Sequence, residues 1–207
     1  MGDLERFLHS DAPPLVKAAL AHVQFETIHP FLDGNGRIGR LLITLLLCHD
    51  RVLREPLLYS SLYLKQHRQQ YYAELNAVRE SGDFERWLEF FATAIRVSAE
   101  QATMTGQRIF AVFREDRIQL RALGRQAPAA LLIQEALQSK PLATIAALAK
   151  STKLTTPTVT QALRALEQLN IVRETTGRAR GRIFSYVRYL DALNSEAVAP
   201  GQIRHDR

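Results

Sequence analysis

Cysteine, tryptophan and methionine are scarce in this chain of 207 residues, which contains one cysteine, one tryptophan and two methionines. A single cysteine, Cys48, excludes an intramolecular disulfide framework and a cysteine-based metal site, which favours a cytoplasmic protein. The longest apolar stretch, Leu41 to Cys48, is far shorter than the roughly 20 residues that a membrane-spanning helix needs. The N-terminal sequence MGDLERFLHS carries acids and lacks an apolar core, so no secretory signal is expected. We therefore expect a cytoplasmic protein without a membrane partner.

Acidic residues are also scarce, but only in the C-terminal part of the chain. Residues 1–115 contain 13 Lys and Arg against 14 Asp and Glu, whereas residues 116–207 contain 14 against 7. All of the excess positive charge therefore belongs to the C-terminal part. Such an asymmetry indicates an anionic partner for that part alone.

The spacing of apolar residues predicts a helical first part. Four helical segments are expected, over 14–28, about 38–50, about 61–80 and 84–123. The first ends at His29-Pro30, because a residue before proline avoids the α-helical region. The last has no proline and a single glycine, Gly106, so it is one long helix or two helices that break near that glycine. Gly124 and Pro128 then mark the expected domain boundary.

The pattern after Pro128 is that of a winged helix. Three short helices are expected, over 129–137, 143–150 and 156–170, followed by two strands, 171–175 and 182–187. A basic segment bounded by glycines, residues 176–181, joins the strands. A helix, a helix–turn–helix and a β-hairpin in this order are typical of a winged helix domain.

Residues 29–40, here called the signature segment, read HPFLDGNGRIGR and have the residue types of a polyphosphate site. Glycines at 34, 36 and 39 let the backbone approach a ligand and direct its N–H groups at one point. The first turn of the following helix adds free N–H donors and a positive dipole end. Arg37 and Arg40 can each bind two phosphate oxygens.

With ATP and Mg²⁺ as ligands, each polar residue of the segment has an expected role. Asp33 is the only acid in the loop and is therefore the expected metal ligand. His29 could accept the proton of an attacking Ser, Thr or Tyr hydroxyl as a general base. Asn35 and nearby backbone N–H groups would hold the α-phosphate, and the arginines the β- and γ-phosphates. The expected nucleotide-binding residues are Asp33, Gly34, Asn35, Gly36, Arg37 and Arg40.

The signature segment resembles, at every specified position, the signature HPFx[D/E]GNGRxxR of the Fic (Fic/Doc) family. Most Fic proteins are adenylyltransferases (AMPylators) that move the AMP of ATP onto a hydroxyl of a target protein. The resemblance implies the same roles, with histidine as base, the acid as Mg²⁺ ligand, GNG as anion cradle and the arginines as phosphate clamps. It also relates Tyr71-Tyr72 to a tyrosine pair that borders the nucleotide, so Tyr71 is a further nucleotide-binding candidate.

The resemblance covers about residues 1–110 and sets the expected architecture. The fold class is mainly α, with a Fic-type helical domain over 1–123, a small winged helix-turn-helix domain over 124–190 and a flexible tail over 191–207. Fic domains usually carry further helices and a β-hairpin flap before the signature histidine, and here 28 residues precede it without a hairpin pattern. No glutamate is followed by Gly or Asn, so the inhibitory pattern [S/T]xxxE[G/N] is missing. We expect a fragment of a longer protein, or a chain whose missing parts come from a partner.

Other polar residues near the segment are interpreted as structural. His22 and Glu26 are expected to pack or to buttress the loop. Lys65, His67 and Arg68 are expected to form a solvated face.

In a winged helix, the recognition helix enters the DNA major groove and the wing contacts the backbone or the minor groove. The candidate DNA-binding residues are Thr156, Thr158, Gln161, Arg178, Arg180 and Arg182. Arg173 and Arg188, expected on the strands, would bring the hairpin to five arginines, which suits phosphate contacts. The alternative is that the domain binds protein or makes a homodimer.

Two further functions stay open beside the Mg²⁺-dependent adenylyltransferase. One is a DNA-binding regulator or antitoxin-like protein with a truncated, inactive Fic part. The other is a transferase with a different donor, since related Fic-type proteins use UTP, phosphocholine donors or phosphate. The complete set of His29, Asp33, Asn35, Arg37 and Arg40 favours an active site over an inactive one, whereas the missing flap pattern favours the inactive one. The signature does not separate the possible donors.

Overall fold

The computed structural model describes residues 1–195, which form two compact units, Met1–Thr103 and a second that begins at Met104. The described residues contain ten α-helices and a three-stranded sheet. None of these helices has both the length and the apolar content needed to cross a membrane.

The first unit is entirely helical. Its helices are α1 (Gly2–Leu8), α2 (Pro14–Ile28), α3 (Asn35–His49), α4 (Ser60–Gln66), α5 (Arg68–Ser81) and the first part of α6 (Phe84–Arg121). Three alanines of α2, Ala18, Ala19 and Ala21, are fully buried, and the indole N–H of Trp87 on α6 donates to the carbonyl of Ala19 at 2.9 Å. Small side chains on α2 therefore let its neighbours come close, which places the end of α2 beside the start of α3.

Most of these helices agree with the sequence prediction. Helix α2 has the predicted bounds, and α6 is one helix without a break at Gly106. The predicted helix over 61–80 is instead two helices, because His67 leaves the helical backbone conformation at φ −103° and ψ 34°. Helix α1 was not predicted, since seven residues give too short a pattern.

The second unit contains the winged helix. It comprises the rest of α6, a 3₁₀ helix (Gly124–Gln126), α7 (Ala127–Ser139), β1 (Leu142–Thr144), α8 (Ile145–Thr152), α9 (Thr156–Gln168), β2 (Val172–Glu174), β3 (Ile183–Tyr186) and α10 (Val187–Asn194). The sheet order is β1-β3-β2 with antiparallel pairs. Strand β1 was not predicted: residues 143–144 were assigned to a helix, but they pair with Phe184 and Ile183.

The second compact unit includes the last part of α6. Leu120 of α6 is fully buried in its core, and the carboxylate of Asp116 accepts a hydrogen bond from the hydroxyl of Tyr186 at 2.7 Å. The last turns of α6 therefore pack against the winged helix within this unit, and the domain boundary at 123/124 stays a prediction. Residues 191–194, predicted as the start of a flexible tail, continue α10, and the tail over 196–207 lies outside the described residues.

Candidate functional site

His29 ends α2 and starts the signature segment. Its backbone is left-handed, with φ 50° and ψ 58°, and its N–H donates to the carbonyl of Phe25 at 3.0 Å. A residue with a Cβ adopts this conformation only where its surroundings hold it there. The His29 side chain is exposed, so the imidazole is accessible to the hydroxyl of another molecule.

Asn35 closes the loop on itself. Its Oδ1 accepts from the N–H of Phe31 at 2.9 Å, and its Nδ2 donates to the carbonyl of Phe31 at 2.5 Å. The residue is 2% exposed. Both polar atoms of the amide are thus used to satisfy the loop backbone. Asn35 therefore fixes the shape of the loop, and the second N–H of its amide is not used in these two bonds, so its role at the α-phosphate stays a prediction.

The cradle itself is the first turn of α3. Gly34 precedes the helix with φ 84°, and its carbonyl accepts from the N–H groups of Arg37 and Ile38, both at 3.0 Å. The N–H groups of Asn35 and Gly36 come before these first intrahelical bonds. They stand at the positive end of the helix dipole, where an anion is stabilised.

Asp33 lies beside this turn and is exposed. One carboxylate oxygen accepts from the N–H of Gly34 at 2.6 Å, and the other lies 3.1 Å from the guanidinium of Arg37, which is also exposed. Mg²⁺ is commonly held by one or two carboxylates together with substrate phosphates and waters. No cluster of three or more His, Cys, Asp or Glu suited to a metal occurs among residues 1–195. A single exposed carboxylate such as Asp33 suits only a cation that takes its other ligands from phosphates and waters.

His22 lies beneath the cradle and is fully buried. Its Nδ1 is 2.8 Å from the carbonyl oxygen of Gly39, and its Nε2 is 2.9 Å from the hydroxyl of Tyr71. A carbonyl only accepts, so Nδ1 donates and Nε2 accepts from the tyrosine O–H. Burial lowers the pKa of His22 to about 4, which keeps the ring neutral. The prediction that His22 buttresses the loop agrees with these contacts.

Glu26 is the second buried ionisable residue under the cradle, 8% exposed. Its Oε1 has no hydrogen-bond partner among the described residues. A Cβ at Gly39 would lie 2.6 Å from this oxygen, and a Cβ at Gly36 would lie 3.8 Å from it. Burial raises the pKa of Glu26, an effect that the nearby charges of Arg40, His29 and Arg79 oppose. The Glu26 carboxylate could move aside, but the His22 ring, held by two hydrogen bonds, would lie 3.2 Å from the same Cβ, so glycine at 39 suits the close approach of α2 to α3.

A cavity of about 300 Å³ lies on the other side of Arg40 and is here called the Arg40 cavity. It is lined by Arg40, Tyr59, Ser61, Leu64, Lys65, Arg68, Tyr71 and Tyr72. Tyr71 is buried and bonded to His22, whereas Tyr72 is exposed, with the Arg68 guanidinium 5.5 Å from its ring centre. Both tyrosines line the cavity, so Tyr71 stays a nucleotide-binding candidate, and the more exposed Tyr72 was not among the predicted site residues. Lys65 and Arg68, expected on a solvated face, line the cavity.

In the second unit, Thr155 caps the recognition helix α9. Its hydroxyl lies 2.8 Å from that of Thr158 and 3.4 Å from the Thr158 N–H. Thr156 and Gln161 are exposed on the same helix. Gln161 and Thr158 share a surface cleft with Arg125, which was not predicted. The recognition helix thus presents hydroxyl and amide groups, as expected.

The wing arginines differ in their surroundings. Arg178 and Arg180 are exposed, and Arg182 is half-buried with its guanidinium 5.6 Å from the centre of the Phe184 ring. Arg188 was predicted on a strand of the hairpin, but it lies on α10 and pairs with Asp116 and, at 2.8 Å, with Glu115. Because its charge is used inside the unit, Arg188 is not part of the proposed DNA-facing set.

Comparisons with known proteins bear on both units. Residues 1–47 match the Fic/DOC family, and residues 131–173 match the winged helix-turn-helix DNA-binding family. The protein adenylyltransferase Fic of Aedes aegypti is 42% identical over 79 residues, which cover 38% of this chain and 14% of that protein. The protein of the same name from Drosophila grimshawi is 40% identical over 96 residues, 44% of this chain and 18% of that protein. This chain thus matches less than a fifth of the length of these relatives.

A Fic family protein from Desulfovibrio desulfuricans G20 is a structural neighbour with a TM-score of 0.48 and 24% sequence identity, covering 89% of this chain and 53% of that one. The two family matches coincide with the signature segment and with the helix–turn–helix described above. The chain is thus similar to the Fic/DOC family over residues 1–47 and to winged helix-turn-helix domains over residues 131–173.

Proposed function

We propose that this chain is a Mg²⁺-dependent protein adenylyltransferase, which transfers AMP from ATP to a Ser, Thr or Tyr hydroxyl of a target protein. The observation that carries the proposal is the arrangement of the signature segment. An exposed imidazole, an exposed carboxylate and a free helix N-terminus converge there, beside a cavity with cationic and aromatic walls. These groups are the ones that phosphoryl-type transfer requires for positioning and charge neutralisation.

The reaction assigns one task to each group. The target hydroxyl oxygen forms a bond to the α-phosphorus, the bond from that phosphorus to the bridging oxygen breaks, and pyrophosphate leaves. His29 accepts the hydroxyl proton, a contribution typically worth about 10²–10⁴ in rate. The first-turn N–H groups of α3 stabilise the charge on the α-phosphate, and Arg37 and Arg40 bind the outer phosphates.

Asp33 is the residue that would hold Mg²⁺. When bound, the cation would neutralise phosphate charge and orient the leaving group. Arg37 pairs with Asp33 in this structure, so phosphate oxygens and the cation would each replace one partner of that pair. The exposed pair is weak in water and can exchange at little cost.

The Arg40 cavity is proposed to hold the nucleoside. Arg40 belongs both to this cavity and to the cradle. It lines the cavity, and its Nη1 lies 3.1 Å from the place that a Cβ on Gly36 would take. A base stacked on the face of Tyr72 would be held without base-specific hydrogen bonds, and Arg68 adds a cation at the same ring.

The proposal is tested by supplying ATP labelled at either the α- or the γ-phosphate to the chain with cell lysate. Adenylyl transfer predicts protein-bound label from the α-position only. Label from the γ-position would instead show phosphoryl transfer, and label from UTP in preference to ATP would show uridylyl transfer. ATP binding without any label would favour the alternative of an inactive Fic part in a DNA-binding regulator.

A second function is proposed for the winged helix, which is DNA binding. Exposed Arg178 and Arg180 on the wing and exposed Thr156 and Gln161 on the recognition helix support it. The arginines suit phosphate contacts, and the amide and hydroxyl groups suit base edges.

A further inference from the structure

The side chain of Arg79 on α5 contacts the C-terminal end of α2. Its Nη2 donates to the carbonyl of Glu26 at 2.9 Å, and its Nε donates to the hydroxyl of Thr27 at 3.3 Å. The last carbonyls of a helix have no partner within the helix, and a cation placed there also interacts favourably with the dipole. Arg79 therefore satisfies an orphan carbonyl and adds favourable charge in the last turn before His29.

Both acceptors on α2 are themselves fixed. The Thr27 hydroxyl donates to the carbonyl of Val23 at 2.8 Å, so its oxygen is oriented toward the guanidinium. The third guanidinium nitrogen, Nη1, lies 3.2 Å from Oδ1 of Asn76, one turn before Arg79 on α5. Each of the three nitrogens of Arg79 thus has its own acceptor, and the planar fork is held in one orientation.

This contact joins the two elements on which the proposed chemistry depends. Glu26 and Thr27 immediately precede the turn in which His29 adopts its left-handed backbone. Arg79 lies on the same helix as Tyr71 and Tyr72, two turns beyond the tyrosines. A shift of the last turn of α2 would move the imidazole relative to the cavity that Tyr72 lines.

We propose that Arg79 is a positioning residue, which fixes the last turn of α2 and thereby sets the place of the His29 imidazole relative to the Arg40 cavity. The expected effect of Arg79 on kcat rests on the proposed adenylyl transfer. The expected effect of Arg79 on the position of the His29 ring does not. Lysine at this position cannot replace arginine, because an ammonium group lacks the planar fork that reaches three acceptors at once.

The test compares Arg79→Met and Arg79→Lys with the control Arg96→Met. Arg96 is an exposed arginine of the same unit, and it pairs with Glu100 one turn further along its own helix. The first readout is the NMR signal of the His29 ring, identified by its loss in His29→Gln. The second is the pair kcat and KM for ATP. Both Arg79 variants should shift or broaden the His29 signal and lower kcat by about 10–100-fold, with the KM for ATP unchanged. Arg96→Met should leave the His29 signal and kcat as they are in the wild type.

An unchanged His29 signal in both variants would overturn the proposal, as would a rise in KM for ATP with kcat intact. If Arg79→Met does not fold, Thr27→Val removes one acceptor of the same contact and should perturb the His29 signal in the same direction. A wild-type chain without transfer activity would refute the proposed function, and the NMR comparison would still decide the role of Arg79.

Discussion

The Nδ1 nitrogen of His22 donates a hydrogen bond of 2.8 Å to the carbonyl oxygen of Gly39, which ties α2 directly to the signature helix α3. The same ring accepts from the Tyr71 hydroxyl of α5. One neutral imidazole thus connects the helix before the signature segment, the helix within it and the helix that lines the Arg40 cavity. The arrangement of the site depends on this ring staying buried and neutral.

Gly39→Ala is expected to destabilise the protein, because the new Cβ would lie 2.6 Å from Oε1 of Glu26 and 3.2 Å from the His22 ring. The cost of such overpacking is about 1–3 kcal/mol, and the preference of helix α3 for alanine over glycine offsets about 0.5–1 kcal/mol of it. Gly106→Ala is the control, since no described atom lies within 4 Å of its Cβ position, and alanine in a helix should add about 0.5–1 kcal/mol. Calorimetric unfolding of both variants measures the difference. Equal stability of the two would contradict the close approach at Gly39.

The stability of the first unit should fall in acid because of His22. Burial lowers the pKa of this ring from 6.5 to about 4, so only the unfolded chain takes up the proton between these values. The contribution of the neutral His22 ring to the free energy of unfolding is complete above pH 6.5. It is lost as the pH falls toward 4, by roughly 3 kcal/mol in total. Urea unfolding followed by the fluorescence of Trp87 should show this loss, and His22→Gln should flatten it. Parallel pH curves for wild type and variant would refute the assignment.

Glu26→Gln is expected to stabilise the protein at neutral pH. Burial raises the pKa of Glu26 above its ordinary value of 4.5, so the folded protein holds the proton more tightly than the unfolded chain. Ionisation then costs stability as the pH rises above that value, and the amide avoids this cost. The gain in the free energy of unfolding should be larger at pH 7.5 than at pH 5. The control is Glu100→Gln, which removes the acid of the exposed pair with Arg96 and should give no gain that grows with pH. A loss of stability at pH 7.5 would mean that the carboxylate is favourably paired.

Arg178→Ala and Arg180→Ala are expected to weaken binding of duplex DNA of random sequence. Each lost phosphate contact should reduce the slope of log K against log salt by about 0.9. Electrophoretic mobility at several salt concentrations measures this slope, with Arg96→Ala as the control outside the winged helix unit. Absence of binding by the wild type even at low salt would remove DNA binding as a function.

Local signals in the sequence were sufficient for most of the fold. The proline after His29 stops α2 where predicted, and the proline-free stretch after Phe84 forms one long helix. Strand β1 could not be predicted because its three residues pair with β3, some 40 positions later in the chain. A pairing over that distance leaves no signal in the neighbouring sequence. The helical place of Arg188 was missed for a related reason, since α10 follows β3 without an intervening turn.

The sequence of the signature segment predicted a ligand-binding loop, but it did not predict which contacts each side chain makes within that loop. The role of Asn35 depends on how the loop folds back on Phe31, which residue types do not specify. Which of Tyr71 and Tyr72 is buried and which is exposed beside the cavity depends on the rotation of α5 about its axis. Buried His22 fixes that rotation by its bond to Tyr71. Tertiary contacts of this kind explain why Tyr72 was missed.

The most direct test of adenylyl transfer compares wild type with His29→Ala for two properties in the same preparation. These are transfer of label from ATP labelled at the α-phosphate and affinity for ATP with Mg²⁺. Because the His29 imidazole is exposed and acts on the target hydroxyl, we predict that the variant binds ATP as the wild type does and transfers no label. Transfer by the variant at the wild-type rate would contradict the assignment of His29 as the base.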